Sequence, residues 1–394
     1  MSFKFYFFCI HLLSIFIGLF NKKKYIIFES FPDFTGSPKR ICQDLDKRGF
    51  GSKYTFIWAV DKNQKNSLGS YKTIPFWGNL NFIDRLKKNF TLANAILIID
   101  SNRYIQKIKS ETLRLHTRHG GTLKRVDDYS NGIGNIDYIL SLCSEMASLE
   151  RAITYQRANL KKDQFLLLGY PSNDELFNPI KETTKETLNK ELNISHYNKI
   201  IGWLPTYREH KVSEMNVQSI RFPQGVPLLY DVDSFKKVND ILKKNDILLI
   251  LKQHHAQALP LKASGFSNIK IVSDDLLNNL KISVIDLALF FDALITDYSS
   301  LYYEFLLLNR PIALTIDDYD EYSKDPGFCI DYFDWIKGVY LKTTPDLIQF
   351  INNIAKGLDL AKGEREKTKL RIHKYTDNLS TKRVVDFLIE NVKL

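Results

Sequence analysis

The stretch Ala293-Leu-Ile-Thr-Asp-Tyr-Ser-Ser-Leu-Tyr-Tyr-Glu304 passes from a β-favouring run into an apolar helical pattern within twelve residues. ALIT reads as a short buried strand that ends at Asp297, and Ser299 and Ser300 then open the pattern LYYEFLLL. A strand that feeds a helix through so short a turn is one half of a βαβ unit, the building block of a parallel sheet. The free N–H groups of a helix start, joined by two hydroxyls, suit an anion such as phosphate. Serines also cap helices without binding anything, and both readings of Ser299 and Ser300 stand at this point.

The same alternation extends in both directions. Tyr25–Glu29, Tyr54–Val60, Ala95–Ile99, Leu113–Thr117, Tyr138–Leu142 and Phe165–Leu168 read as strands separated by helical stretches. After Pro171 comes a polar segment, Lys181–Lys199, expected to be an interdomain helix and linker. A second series follows: Ile200–Leu204, Ile247–Lys252, Ile269–Val272, Ala293–Thr296 and Pro311–Thr315, with a helical, charged tail from Pro345 onward. The expected architecture is α/β, with two Rossmann-like doubly wound domains facing a cleft that holds the ligand at the strand carboxyl ends. The expected divisions are residues 1–24, 25–190 and 191–394.

The bulk properties agree with this reading. A chain of 394 residues with 44% hydrophobic and 25% charged residues builds cores, which excludes collagen-like, disordered and disulfide-scaffold classes. Lys+Arg at 55 against Asp+Glu at 45 gives a formal net charge of +10. That excess suits an anionic partner, although a compositional bias toward Lys, Asn and Ile produces it equally well. Nucleic acid is not expected, because the aromatics sit mainly in apolar strands and helices, not among lysines as stacking platforms. Cys9, Cys42, Cys143 and Cys329 have no metal-binding or redox spacing, which fits reduced thiols.

Three further motifs follow strands. Leu115-His-Thr-Arg-His-Gly-Gly-Thr-Leu-Lys124 carries His119, a residue able to act as general base, beside two glycines that admit close backbone approach. Gly120, Gly121, Thr122 and Lys124 complete a loop suited to an anion; a loop histidine that only bonds backbone is the plainer alternative. Leu251-Lys-Gln-His-His255 sets Lys252 and His254 on one face of an extended chain. No Asp, Glu or Cys stands beside them at ligand spacing, so a cationic pair facing phosphate is preferred to a metal site. Gly202-Trp-Leu-Pro-Thr-Tyr-Arg208 brings Thr206 and Arg208 to the end of the second domain's first strand.

Phe5 to Phe20 is apolar apart from His11, Ser14 and Gly18, and Lys22-Lys23-Lys24 follows. Sixteen helical residues reach about 24 Å against a hydrocarbon core of about 30 Å. The expectation is a short N-terminal hydrophobic helix that anchors or half-inserts, with a basic collar on the cytoplasmic face of the cell membrane. A buried helix of the first domain is the alternative.

In this order and spacing the motifs resemble the CDP-glycerol glycerophosphotransferase family of teichoic-acid and capsule enzymes. The resemblance rests on Phe28-Glu-Ser-Phe31, His119-Gly-Gly-Thr-Leu-Lys124 and Gly169-Tyr-Pro-Ser-Asn-Asp174. It continues through Trp203-Leu-Pro-Thr-Tyr-Arg208, Lys252-Gln-His-His255 and the intact Thr296-Asp-Tyr-Ser-Ser300. It departs where Ser172 replaces the family arginine, where Gly121 is inserted before Thr122, and where Pro326-Gly-Phe328 replaces Arg-Gly-Phe.

The resemblance implies a glycosyltransferase-B-like fold with an acceptor-side first domain and a second domain that holds a CDP-activated donor. The donor is CDP-glycerol or CDP-ribitol, and the acceptor is lipid-linked or polymeric at the inner membrane surface. It implies His119 and His254 as catalytic residues. Gly120, Gly121, Thr122, Leu123, Lys124, Ser172, Pro205, Thr206, Arg208, Lys252, Asp297, Ser299, Ser300 and Glu304 are then substrate contacts. In-line transfer needs mainly positioning and charge neutralisation. The cationic set stands in for a divalent metal, so neither metal nor cofactor is expected. A nucleotide-sugar transferase of the same architecture is the alternative.

Overall fold

The computed structural model describes residues 24–63, 71–118, 120–121, 123–124, 135–206, 226–252, 265–325 and 327–392. The apolar segment 5–20 lies outside them, and no helix among the described residues is long and apolar enough to cross a membrane. The described chain forms two compact units. The first runs to Gly121, resumes up to Asp174 and takes up the chain again from Lys374; the second comprises Leu123, Lys124 and Glu175–His373.

The first unit is built on a seven-stranded sheet among the described residues, ordered β3-β2-β1-β4-β5-β6-β7. These strands are Tyr25–Phe28 (β1), Thr55–Asp61 (β2), Lys72–Trp77 (β3), Ala95–Asp100 (β4), Leu113–His116 (β5), Tyr138–Leu140 (β6) and Phe165–Leu166 (β7). Every pairing is parallel. β1 is central and buried at all four positions, as expected of a strand covered on both faces. The chain moves outward through β2 and β3 and then returns to the other side of β1 with β4, so the strand order reverses between β1 and β4.

The second unit repeats this plan with six strands, ordered β10-β9-β8-β11-β12-β13. They are Lys199–Trp203 (β8), Ile247–Lys252 (β9), Ile269–Val272 (β10), Ala293–Thr296 (β11), Ile312–Thr315 (β12) and Val339–Leu341 (β13), again all parallel. Its reversal lies between β8 and β11. Helices Val232–Lys244 and Thr344–Ala355 bury Phe235, Val238, Leu242, Phe350, Ile351 and Ile354 against one sheet face. Gly202 in β8 is required by close approach: a Cβ there would sit 2.2 Å from the Phe291 ring.

The doubly wound α/β class is thus as expected. The polar helix Glu182–Leu192, which buries Leu188 and Leu192, belongs to the second unit. The tail from Lys374 belongs to the first. The Asp174 carboxylate accepts from the Ser380 and Thr381 N–H groups (3.0 and 2.8 Å) and so caps helix Ser380–Val392. That helix packs on helix Gly36–Lys47, where Arg48 pairs with Asp386 at 2.6 Å. Gly169 lies so close to this cap that a Cβ would meet Ser380 Oγ.

Candidate active site

In an open parallel sheet the ligand crevice lies outside the strand carboxyl ends where the strand order reverses. In the second unit that point is the junction of β8 and β11. Leu204 N–H continues the ladder to Ile295 (2.9 Å), and Thr296 Oγ1 donates back to the Leu204 carbonyl (2.8 Å). Asp297, fully buried, then accepts from Thr206 N–H on both carboxylate oxygens (3.0 and 2.9 Å) and from Tyr298 N–H (2.6 Å). Its carbonyl accepts from the Tyr332 hydroxyl at 3.2 Å. A carboxylate taken out of water needs such donors, and these fix the Pro205-Thr206 turn against the Ser299-Ser300 turn.

Around this junction the strand ends bring together most of the expected second-domain residues. Lys252 closes β9, the other neighbour of β8, and its ammonium pairs with Asp274 at 2.9 Å. It is therefore an anchored cation. Ser299 Oγ accepts from Leu301 N–H at 3.3 Å, whereas Ser300, at the cap position of helix Leu301–Leu307, makes no side-chain cap bond. Glu304 lies on the same helix, 8% exposed, and burial pushes its carboxyl up to about 8. At neutral pH it is mainly protonated and able to donate.

The His-Gly-Gly loop leaves the first unit's sheet at β5. His116 Nδ1 meets Asp100 Oδ1 at 2.7 Å and Arg114 Nε donates to Asp100 Oδ2 at 2.8 Å, all three side chains being buried. Burial alone would raise the Asp100 carboxyl, but Arg114 and His116 outweigh it and hold the group below its usual range. Burial lowers His116. Thr117 bonds the Asp100 carbonyl through N–H (2.7 Å) and Oγ1 (3.0 Å). Arg118 then takes a left-handed backbone, φ 59°, and its guanidinium pairs with the fully buried Glu150 at 3.0 Å and donates to Tyr155 at 3.3 Å. Glu150 opens a π-helical turn, Glu150–Thr154. Gly120 follows at φ 134°.

Leu123 and Lys124 belong to the second unit. Leu123 is buried and its carbonyl accepts from Cys329 N–H at 3.0 Å; Lys124 forms an antiparallel bridge with Phe328 and lies 5.9 Å from the Tyr322 ring centre. Ser172 belongs to the first unit, where its N–H donates to Ser37 Oγ at 3.2 Å. His119, Thr122, Arg208 and His254 lie outside the described residues.

A family model described as CDP-glycerol:poly(glycerophosphate) glycerophosphotransferase matches residues 11–390. The chain belongs to this family. It is accordingly an enzyme, a transferase of the glycerophosphotransferase class. It is 26% identical over 358 residues to the teichoic acid poly(glycerol phosphate) polymerase of Bacillus spizizenii, covering 85% of each protein. To the polymerase of the same name from Bacillus subtilis it is 27% identical, spanning 85% of this chain but 44% of that relative. In fold it is similar to a variant of the wall teichoic acid polymerase TagF, with a TM-score of 0.76, 21% identity and coverage of 100% of this chain and 99% of that one.

Within this glycerophosphotransferase, Asp100, Arg114, His116, Arg118 and Glu150 were not among the residues expected from the sequence. Asp100 and His116 each end a strand and were recognisable by that rule. Glu150 had no such signal, since its partner Arg118 lies 32 positions earlier and meets it only in the fold.

Proposed function

We propose that the enzyme transfers glycerol phosphate, or the related ribitol phosphate, from a CDP-activated donor to a hydroxyl of a polymeric or lipid-linked teichoic-acid or capsule acceptor. The observation that carries this reading is the bonded junction of Thr206 and Asp297, with Pro205, Lys252, Ser299, Ser300 and Glu304 on the strand ends and helix beside it. Such a set offers one cation, three hydroxyls and a protonated carboxyl to a nucleotide diphosphate. An acceptor on the first domain and the donor on the second complete the reading.

The acceptor oxygen attacks the phosphorus that bears the alditol, and the bond from that phosphorus to the CMP oxygen breaks. His119 takes the hydroxyl proton as general base. Lys252, His254, Arg208 and Lys124 balance charge on the departing CMP, with Gly120, Gly121, Thr122, Leu123 and Ser172 as further contacts. No step requires a metal, because positioning and fixed charge supply most of the stabilisation in phosphoryl transfer. The enzyme would work at the cytoplasmic face of the membrane, held by the segment before Lys24.

The test is transfer of label. Purified full-length enzyme is given CDP-glycerol, CDP-ribitol or UDP-sugars carrying label in the transferable group, with a short soluble poly(glycerol phosphate) acceptor. Glycerol label reaching polymer, with CMP released in equal amount, is expected. Transfer of hexose alone would overturn the reading in favour of a nucleotide-sugar transferase. The true donor also raises the melting temperature in proportion to ln(1 + [L]/Kd).

A further inference from the structure

The first unit has its own point of strand-order reversal, between β1 and β4, and the construction there mirrors that of the second. Glu29, directly after β1, is fully buried and accepts on Oε2 from Ser101 and Asn102 N–H (3.0 and 3.1 Å), directly after β4. In the second unit the buried carboxylate stands on the other strand of the pair, Asp297 after β11, and both its oxygens are bonded. Here Glu29 Oε1 is buried with no hydrogen-bond partner among the described residues.

Two more buried polar atoms without hydrogen-bond partners among the described residues lie on the same two loops: Asp33 Oδ1 and Arg103 Nη1. Buried polar atoms are almost always satisfied, so three together at a strand-end crevice call for a ligand. Arg103 is a prepared cation. Its guanidinium lies 4.7 Å from the Phe31 ring centre and 4.9 Å from that of Trp77, and its nearest ion-pair contact is Asp61 at 4.0 Å. That distance is too long for a hydrogen bond. Phe31 is 48% exposed, and the Asn102 side chain accepts from Phe31 N–H at 3.3 Å, which ties the two loops together.

The chemistry selects the class of ligand. A planar, stacked guanidinium with unused donors is suited to a phosphate oxygen pair. Carboxyl groups beside it suit hydroxyls, which accept and donate alike. Burial pushes Glu29 up to about 7, so this carboxyl brings less negative charge than a free one; burial raises Asp33 as well, against the pull of Arg103.

We propose that the strand ends of β1 and β4 bind the terminal unit of the acceptor, a phosphodiester-linked polyol, with Arg103 on its phosphate and Asp33 and Glu29 on its hydroxyls. This rests on the reading of the enzyme as an alditol-phosphate transferase. It adds which residues of the first unit receive the acceptor.

The probe is glycerophosphoglycerol, two glycerols joined by one phosphodiester, titrated calorimetrically into the full-length enzyme without donor. Wild type should bind it, Arg103→Gln should bind at least tenfold more weakly, and Asp33→Asn should bind less tightly than wild type. CDP-glycerol affinity should be equal in all three. If Arg103→Gln does not fold, as judged by its melting curve, Arg103→Lys takes its place, since it keeps the charge but loses the stacked fork. Absence of wild-type binding, unchanged binding in a folded Arg103 variant, or an equal loss of CDP-glycerol affinity would overturn the assignment. Failure of the functional reading looks different: glycerophosphoglycerol binding would persist while CDP-glycerol supports no transfer.

Discussion

Ser300 stands at the head of helix Leu301–Leu307 with its hydroxyl unused as a cap, and the Ser299 hydroxyl accepts from Leu301 N–H in the same turn. A capping serine replaced by alanine costs about 1 kcal/mol. Ser300→Ala should therefore cost less than about 0.5 kcal/mol in urea unfolding while raising the KM for donor severalfold. A full capping loss with unchanged KM would return Ser300 to a structural role. The buried acids make a second prediction. Glu29 and Glu304 rise from an ordinary 4.5 to about 7 and about 8. Between those limits the folded protein holds protons that the unfolded chain has released. The stability linked to each group is complete below about 4.5 and is lost as pH rises through 7 to 8, at up to about 1.4 kcal/mol per pH decade. Glu304→Gln should flatten that decline, measured as unfolding free energy from pH 5 to 9. An unchanged slope would mean that Glu304 is ionised in the folded state.

Among the elements, the exit of β5 is held by a buried ion pair, Arg118 with Glu150. A left-handed Arg118 and a π-helical turn at Glu150 are both uncommon conformations, and each persists because the same ion pair joins them. Glu150→Gln should cost about 3 kcal/mol or more, as breaking a buried pair does. Turnover should also fall at least tenfold with little change in donor KM, because the segment that enters the His119 loop loses its anchor. Stability loss with normal turnover at a temperature where the variant is folded would make the pair purely structural. The elements also explain what could be read in advance. The central strands β1, β8, β9 and β11 are unbroken apolar runs and were legible within a residue or so. β3 and β13 were not. β3 contains Pro75, which lacks an N–H and is tolerated there because β3 is an edge strand. β13 has only three residues, also at an edge. The Thr206 and Asp297 junction was legible only as two separate motifs, since the bond between them spans 91 positions.

For the whole molecule, the division into units follows from one carboxylate. Asp174 ends the first unit's continuous part and caps a helix that begins 206 positions later. Truncation after Lys374 should therefore destabilise the first unit and spare the second. Limited proteolysis should cut the truncated protein mainly before Asp174 and leave a resistant fragment from about Glu175 onward. Even loss of both units, or of neither, would show that the tail does not complete the first unit alone.

That return of the chain bears on synthesis at the ribosome. The second unit is nearly continuous in sequence, so it can complete its sheet and helices as soon as His373 has emerged. The first unit starts earlier and finishes later, because the apolar face of helix Gly36–Lys47 waits for residues 380–392. For the time taken to translate the roughly 330 residues from Lys47 to Ser380, that helix lacks the cover that the tail supplies, which is the circumstance in which nascent chains engage chaperones. The order of emergence and the order of completion are opposite.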